Sequence, residues 1–312
     1  MNLDDLYNRW VDERPEYEAC AKYIGEKLKA VALQQGIRCT VTSRAKEVDS
    51  LLKKQIRYKF PDPWTKITDK AGVRLIVPYE LWVTQVCYII RDNFDIAIEF
   101  DNKVETLGHD RLGYQGIHVH VKLREGPYAG LICEVQIHTG AQHLWSAASH
   151  DMFYKTSQEA PPAIMRRFNR LTVLMELFDK EVSECREKLM EMPNQDSHKL
   201  LRLLENQYLP LVARDYDQDL SLTVISGLKK LYNTDELNSF DSLIANFVSE
   251  NHRKLESVYS RYKDDPRHVM MFQPEALLVF ERSRRHKMSL KRAWTEVLPI
   301  ELLTPLTTAW GA

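Results

Sequence analysis

The chain has little cysteine and little glycine for its length, and both shortages narrow the class of protein. Five cysteines are scattered through 312 residues without a C-x-x-C pair. This odd, dispersed set argues against a disulfide framework or a zinc ribbon, and we expect reduced thiols in a cytosolic protein. Gly227 is the only glycine between residues 157 and 310. Together with few strand signals there, this favours a succession of helices.

The chain also lacks an excess of charge and a long apolar run. Its formal net charge of -1 excludes a globally basic nucleic-acid coat but leaves local basic patches open. No apolar run approaches the roughly 20 residues of a membrane span, and the acidic, polar N-terminus is unlike a signal peptide. Hydrophobic residues make up 44% and charged residues 28%. These values predict a substantial core, and the length suits about two domains.

Hydrophobic periodicity predicts a mixed α/β domain over residues 1–158 and an all-helical region over 159–312. A two-residue period marks strands, and a period near 3.6 marks helices. In chain order, the pattern predicts a helix over 3–36 broken near Pro15, a strand over 37–44, a helix over 45–58, a strand over 69–77, a helix over 79–93, strands near 96–104, 117–123 and 130–139, and a helix over 140–156.

The stretch DKAGVRLIV, residues 69–77, combines a polar entrance with a short β-branched apolar run. The apolar part suits a buried strand. Asp69 offers hard oxygen ligands for Mg²⁺, and Arg74 offers a flat, permanently charged group for phosphate or a base. This pairing indicates a site for metal-bound phosphate, although the motif alone is short and also fits a simple salt bridge.

A second polar motif, Arg44-x-Lys46-x-x-x-Ser50, lies where the first strand gives way to a helix. Side chains three and four apart on a helix share a face, so we expect Lys46 and Ser50 to reach one ligand. Arg44 just before them is placed to stack on a base.

Two further motifs follow. In GYQGIH, Tyr114 lies on a glycine loop at the start of a strand, where an aromatic ring can stack on a nucleobase. In EVQIHT, Glu134 and Gln136 share the polar face of a strand. Carboxylates from two strands, with several cations and an aromatic platform, are what Mg²⁺-dependent phosphoryl transfer on nucleotides requires.

Together these motifs resemble the synthetase domain of the RelA/SpoT family, including the small alarmone synthetases. The resemblance covers about residues 15–158 and includes His143, Trp145, His150, Tyr154 and Lys155 beyond the four motifs. It implies a nucleotidyltransferase-like fold with a mixed, mostly five-stranded sheet. It also implies transfer of pyrophosphate from ATP to the 3′-hydroxyl of GDP or GTP, which yields (p)ppGpp and AMP with Mg²⁺ as cofactor.

The resemblance implies a role for each matched position. Two arginines would sandwich the adenine, two residues would hold the ATP phosphates, two carboxylates would bind Mg²⁺, and an aromatic ring would stack on the acceptor base. Glu134 is also suited to activate the acceptor hydroxyl. The adenine would lie between Arg44 and Arg74, and Lys46 and Ser50 would hold the ATP phosphates. Asp69 and Glu134 would bind Mg²⁺, and Tyr114 would stack on the acceptor base. The acceptor would also be bound by His118, Gln136, Arg111 and His138.

The acceptor side departs from the family pattern. Asp110 occupies the place of a usual lysine, with Arg111 beside it, and Gly116, His138 and His143 replace a usual Ser, Arg and Asn. These changes keep an alternative open: a toxic small synthetase that modifies the tRNA 3′ end or makes adenine alarmones, held by an antitoxin or used in phage defence. Arg111 could replace the lysine, so GDP and GTP also stay open.

The helical half matches no family that the residues identify. Expectations for it include a regulatory region, a platform for an antitoxin or other partner, a substrate-binding arm and an element of homo-oligomerisation. Its tail is expected to end in an exposed Trp310 that docks on the enzyme or on a partner. A nucleotide-sensing module with a decayed site is a further alternative, but it would require loss of the metal carboxylates, and both are present.

Overall fold

The computed structural model describes residues 2–102, 116–154, 161–191, 196–265, 267–283 and 286–311. The chain divides into two compact units. The first is Met1–Ala32 with Ile37–Glu187, and the second is Leu33–Gly36 with Lys188–Ala312. The first unit therefore continues past residue 158, where the sequence predicted a boundary, because the next long helix packs with it. The assignment of separate roles to the two halves stays a prediction.

The first helix, α1, spans Leu3–Gln34 without interruption and contains Pro15. The predicted break at the proline is therefore wrong. A proline inside a helix removes one backbone hydrogen bond and crowds the preceding turn. The apolar face of α1 continues on both sides of it: Trp10 and Tyr17 are buried with ring centroids 5.3 Å apart. This packing holds the helix together across the proline.

The sheet has five strands among the described residues, as the resemblance implied. They are β1 (Thr40–Ala45), β2 (Ala71–Val77), β3 (Asp95–Asn102), β4 (Ile117–Lys122) and β5 (Cys133–Thr139). Their spatial order is β1-β2-β5-β4-β3. β2 and β5 pair in parallel, and the other neighbours pair antiparallel. The mixed sheet is therefore built around one central parallel pair.

The helices of the first unit connect and cover these strands. They are α2 (Val48–Tyr58), α3 (Pro63–Lys66), α4 (Glu80–Asn93), α5 (Gly140–Ser149), which runs into a π-helical turn at His150–Tyr154, and α6 (Pro162–Glu191). The predicted helix over 45–58 begins only at Val48, because Ala45 still pairs with Ala71 in the sheet. Lys46 thus lies between strand and helix.

Each central strand divides its side chains between an apolar and a polar face. Along β2, Ala71, Val73, Leu75 and Val77 are almost fully buried, and the residues between them are partly exposed. The buried face joins α1 and α4 in one apolar core. The period-two prediction is confirmed here, and it leaves the opposite face of the sheet free to carry polar chemistry.

The second unit is helical, as predicted. Its helices are α7 (Asp196–Val212), α8 (Gln218–Leu228), α9 (Thr234–Asn238), α10 (Phe240–Tyr262), α11 (Ala276–Ser283), α12 (Lys287–Thr295) and α13 (Ile300–Trp310). The lone Gly227 has a packing reason, since a Cβ there would lie 2.3 Å from a methyl carbon of Val297. No helix in the described residues is long and apolar enough to cross a membrane.

The C-terminal tail packs inside this second unit. Trp310 is buried, its ring stacks on Phe280 at 4.8 Å, and the Lys254 ammonium lies 3.9 Å from its ring centre. The prediction of an exposed Trp310 is therefore wrong. An apolar helix end with a terminal tryptophan is stabilised more by joining its own core than by remaining in water.

The second unit also buries a carboxyl group, Glu275, which has no exposed surface. Burial raises the pKa of Glu275 to about 7, while the nearby Ser221 hydroxyl acts in the opposite direction. In the unfolded chain the group titrates near its ordinary pKa of 4.5. The folded state therefore binds more protons between these two values, and the contribution of Glu275 to stability is lost as pH rises through about 7.

We predict that Glu275→Gln raises the free energy of unfolding near pH 8 by roughly 1–3 kcal/mol, because the neutral amide removes the cost of a buried charge. The gain should shrink toward pH 5, where the wild-type carboxyl is already protonated. Urea unfolding at both pH values measures this difference. Glu301→Gln, on an exposed position of α13, is the matched control. An equal gain at both pH values would contradict the assignment.

Candidate active site

The polar face of the sheet carries two rows of side chains that cross four strands. Residues opposite each other on neighbouring strands point to the same face. The pairing aligns Arg44, Gly72, Glu134 and His120 in the first row, and Thr42, Arg74, Gln136 and His118 in the second. Residues from distant parts of the sequence thus meet on one surface.

A cleft opens over these rows at the β1–β2–β5 side of the sheet. Gly72 has no side chain, so the first row is open between Arg44 and Glu134; a Cβ at Gly72 would lie 4.0 Å from Arg44 Cγ. The missing side chain leaves room for a ligand against the sheet. The cleft is lined by Thr42, Ser43, Arg44, Asp69, Gly72, Val73, Arg74, Glu134 and Gln136.

Asp69, which directly precedes β2, is held by two lysines. Lys46 Nζ lies 2.6 Å from Oδ2, and Lys54 Nζ lies 3.0 Å from Oδ1. Burial acts to raise the pKa of Asp69, but the hydrogen bond and charge of Lys46 and the charge of Lys54 outweigh it and lower the pKa. The carboxylate is therefore ionised at neutral pH, and two ammonium groups stand beside it.

Glu134 is the second carboxylate of the cleft. Its oxygens contact His118 Nδ1 at 3.2 Å and accept a hydrogen bond from Gln136 Nε2 at 2.9 Å. Burial and the charge of Asp69 act to raise the pKa of Glu134, but His118 and Gln136 lower it overall. Gln136 in turn has its Oε1 within 3.3 Å of Arg74. The amide therefore orients both the carboxylate and the guanidinium.

His138 lies deeper than the rest and has no exposed surface. Burial lowers its pKa to about 3, and the positive charges of His118, Arg74 and His143 act in the same direction. The ring of His143 stacks near it, with centroids 6.4 Å apart and planes 18° apart. His138 is therefore a neutral imidazole at physiological pH, unlike the arginine usual at this place.

Most of the donor-side residues predicted from the sequence do meet in the structure. Arg44, Asp69 and Arg74 line the cleft. Lys46 does not line it, but its ammonium group contacts the Asp69 carboxylate. Ser50 is exposed in the first turn of α2 and does not line the cleft. The predicted shared helix face of Lys46 and Ser50 is wrong, because Lys46 precedes the helix.

The acceptor-side residues are described only in part. His118 and Gln136 lie in the second row, and Glu134 contacts both. The predicted positions Asp110, Arg111 and Tyr114 lie outside the described residues, and their roles stay predictions.

Gly116, which precedes β4, has a φ of 150°. This value lies in the region that residues with a Cβ rarely adopt. The backbone therefore gives a structural reason for glycine where a serine is usual.

Sequence reasoning did not assign Lys54 to the site. This lysine belongs to the basic run Lys53, Lys54, Arg57, Lys59 and Lys66, for which the sequence leaves two interpretations open: a solvated helix face, or a surface that faces the phosphates of an acceptor or an RNA. In the structure, Lys54 is on α2 and contacts the same carboxylate as Lys46. The basic run itself, on the helix that follows the motif, was the available signal. His120 was also not assigned; its Nε2 lies 3.1 Å from the Thr68 hydroxyl.

The two carboxylates fit a divalent cation that is shared with a substrate. They line one cleft, and the charge of Asp69 acts on the pKa of Glu134, so the two negative charges are close enough to interact. Among the described residues, no group of three or more His, Cys, Asp or Glu side chains could hold a metal. Mg²⁺ usually binds one or two carboxylates and completes its six ligands with water and phosphate oxygens.

Comparison with known proteins identifies the same part of the chain as the one that carries the cleft. Residues 43–159 match the family described as a region found in RelA / SpoT proteins. The chain carries a RelA/SpoT domain. The match begins one residue before Arg44 and ends beyond α5, so it contains every site residue named above except Thr42. GTP pyrophosphokinase YjbM of Bacillus subtilis (strain 168) is 27% identical over 157 residues, which cover 48% of this chain and 73% of that protein.

Solved structures share the fold of the RelA/SpoT part. Small alarmone synthetase 1 from Bacillus subtilis superposes with a TM-score of 0.52 at 24% identity, over 59% of this chain and 100% of that chain. A GTP pyrophosphokinase family protein from Streptococcus pneumoniae gives 0.51 at 23% identity, over 59% of this chain and 95% of that chain. At these identities the likeness concerns the fold, which is that of the small synthetases.

Proposed function

We propose that the chain is an ATP-dependent pyrophosphokinase that transfers the pyrophosphoryl group of ATP to the 3′-hydroxyl of GDP or GTP, forming (p)ppGpp and AMP. One observation carries this proposal. Within a RelA/SpoT domain, the carboxylates Asp69 and Glu134 line a single cleft together with the guanidinium groups of Arg44 and Arg74. Anionic phosphates need the cations, and proton removal from the acceptor needs a base.

The donor nucleotide would occupy the β1–β2 side of the cleft. Arg44 and Arg74 lie on neighbouring strands, one row apart, with Gly72 leaving space beside them. Flat guanidinium groups stack on a purine and keep their charge at every relevant pH. Lys46 and Lys54, both at Asp69, would then contact the phosphates. Four cations around two carboxylates leave net positive charge for ATP.

The transfer forms a bond from the acceptor 3′-oxygen to the β-phosphorus of ATP. The bond from that phosphorus to the oxygen bridging toward the α-phosphate breaks, and AMP leaves with the electron pair. The hydroxyl proton must pass to a base. We assign this role to Glu134 because its lowered pKa keeps it ionised and because His118 and Gln136 orient it.

Mg²⁺ is the cofactor that suits this site. Asp69 and Glu134 would hold it, and the bound ion would supply positive charge to the phosphates as negative charge shifts toward AMP. Asp69 is ionised by virtue of Lys46 and Lys54, so it is ready to bind a cation. The lysines would then exchange part of their contact with Asp69 for contact with phosphate oxygens.

The acceptor side supports a second candidate. His138 is neutral where the family usually has an arginine, so the 5′-phosphates of a guanine nucleotide would meet less positive charge there. An acceptor with a different charge distribution is therefore also considered: the 3′ end of tRNA, or an adenine nucleotide. Such an activity would suit a toxin held by an antitoxin, or a phage-defence effector.

Glu134→Gln should lower the rate of AMP release from labelled ATP by roughly a hundredfold or more, because the amide cannot accept the hydroxyl proton. The near-identical shape should leave the fold unchanged, which the circular dichroism melting curve checks. Glu125→Gln, on an exposed loop, is the matched control and should keep full activity. A Glu134→Gln protein with wild-type turnover would refute the assigned role.

Lys54→Met should raise the apparent KM for ATP by roughly three- to tenfold, since one phosphate-facing charge is lost while the methylene stem is kept. The neighbouring Lys53→Met is the control, because Lys53 pairs with Asp49 in solvent and not with Asp69. Steady-state AMP release at varied ATP measures both variants. Equal effects of the two substitutions would show that only general charge matters.

The acceptor is tested by incubating the full chain with labelled ATP, Mg²⁺ and GDP, GTP, AMP or tRNA separately. The main proposal expects AMP release and a labelled guanosine product with GDP or GTP, and unlabelled tRNA. Label on tRNA or on an adenine nucleotide, without a guanosine product, would replace it with the second candidate. No AMP release with any acceptor would refute pyrophosphokinase activity.

A further inference from the structure

Asp69, the proposed metal ligand that directly precedes β2, lies outside regular secondary structure. It belongs to segment 67–70, which connects α3 to β2. A connecting segment has no continuous ladder of backbone hydrogen bonds, so side-chain contacts must fix its course. The contacts of the Asp69 carboxylate with Lys46 and Lys54 do not serve this purpose alone, because the proposed reaction turns both lysines toward phosphate. The residues on either side of Asp69 therefore determine where its carboxylate lies.

Lys70, on the C-terminal side of Asp69, is anchored to α3. Its ammonium group donates hydrogen bonds to the backbone carbonyl oxygens of Trp64 and of Ile67, the latter at 2.9 Å, and only 7% of the residue is exposed. The last carbonyls of a helix have no partner within the helix, and a lysine can supply one. The Lys70 carbonyl in turn accepts a hydrogen bond of 2.8 Å from the Lys46 N–H. These contacts fix the backbone that follows Asp69.

Thr68, on the N-terminal side of Asp69, is linked to a strand on the far side of β5. Its hydroxyl oxygen lies 3.1 Å from Nε2 of His120 on β4. In the sheet, β5 lies between β2 and β4, so this contact reaches across β5. At this point β5 carries Glu134, which pairs with His120 in the sheet register. The segment that carries one carboxylate is therefore tied to the strand beside the other.

His120 lies close to both carboxylates without lining the cleft. Burial lowers its pKa, whereas the charges of Glu134 and Asp69 act in the opposite direction, so both carboxylates are near enough to affect the ring. The residues that line the cleft include neither His120 nor Thr68. An effect of this pair on the reaction would therefore pass through the carboxylates and not through contact with a nucleotide.

Mg²⁺ makes strict demands on the position of its ligands. It binds oxygen at about 2.0–2.1 Å in nearly octahedral geometry, so two carboxylates from different elements must be fixed relative to each other. Groups that orient such ligands typically change metal affinity by about ten- to hundredfold. Glu134 is oriented by His118 and Gln136, and Asp69 needs an equivalent support.

We propose that Thr68 and His120 form a positioning pair that holds Asp69 in the place, relative to Glu134, at which the two carboxylates share one Mg²⁺. The inference rests on the proposed function, in which these carboxylates bind the cation. His120 acts through Thr68, and Lys70 fixes the opposite end of the segment. The pair controls the affinity for the metal and leaves the affinity for the nucleotide itself unchanged.

The test measures metal binding by the full chain without turnover. Mn²⁺ replaces Mg²⁺, because free Mn²⁺ can be quantified by electron paramagnetic resonance. The nucleotide is α,β-methylene-ATP, because its bridge between the α- and β-phosphates is not cleaved. Thr68→Val and His120→Leu should each weaken Mn²⁺ binding by roughly tenfold. The affinity for α,β-methylene-ATP measured without metal should stay at the wild-type value.

A double-mutant cycle tests whether the two residues act through one contact. In that case Thr68→Val/His120→Leu should bind Mn²⁺ about tenfold more weakly than wild type, as each single variant does. Independent effects would multiply to roughly a hundredfold. Thr68→Ser and His120→Gln keep a hydrogen-bonding group at each position and should stay within about threefold of wild type.

Thr84→Val, at an exposed position of α4, is the matched control and should bind Mn²⁺ as the wild type does. Circular dichroism melting curves check that each variant is folded. If His120→Leu does not fold, the comparison of Thr68→Val with Thr68→Ser is decisive, because valine keeps the shape of threonine and serine keeps its hydroxyl.

Two results would overturn the inference and leave the proposed function intact. One is an unchanged Mn²⁺ affinity in Thr68→Val when Asp69→Asn has lost Mn²⁺ binding. The other is a double variant weakened by the product of the two single effects. Wild-type Mn²⁺ affinity in Asp69→Asn would instead overturn the metal assignment of the proposed function, and the inference with it.

Discussion

The parallel pairing of β2 with β5 is the constraint on which the active-site surface depends. It aligns Gly72 with Glu134 and Arg74 with Gln136, although the paired residues lie 62 positions apart in sequence. A parallel pair requires a crossover connection, and the chain supplies it through α4, β3 and β4. The antiparallel strands β1 and β4 then add Arg44 on one side and His118 on the other. Without this central register, the polar residues would not form rows.

Charge balance within the cleft follows from that register. Each carboxylate is partly buried, and this burial alone would favour its neutral form. The lysines at Asp69 and the histidine and amide at Glu134 reverse this effect and keep both groups ionised. The same cations that stabilise Asp69 are the ones that a polyphosphate would attract. The site thus contains contacts that a metal-bound nucleotide would replace.

The donor and acceptor sides differ in how closely they follow the family pattern. The donor side keeps its arginines and carboxylates. On the acceptor side, histidine replaces arginine at position 138 and glycine replaces serine at position 116. The structure accommodates both replacements: His138 is buried and neutral, and Gly116 has a backbone angle that favours glycine. They alter charge and shape where an acceptor would bind. The proposed reaction and the identity of the acceptor are therefore separate questions, and the first has the stronger physical support.

Local features could be predicted from the order of residues along the chain. Alternation along residues 69–77 and 117–123 predicted strands with one polar face, because a period of two is a property of the extended chain. The motifs predicted Asp69, Arg74, Glu134 and Gln136 as members of one site. Scarce glycine and helical periodicity after residue 161 predicted the helical half.

Features that depend on packing between distant segments could not be predicted in this way. The tertiary structure brought Lys54 to Asp69 and left Ser50 exposed, because α2 begins after the strand pairing of Ala45 ends. It continued α1 through Pro15 and buried Trp310, because apolar contacts on each element outweighed the local signal. Sequence periods specify which face of an element is apolar. Only the fold specifies which other element that face meets.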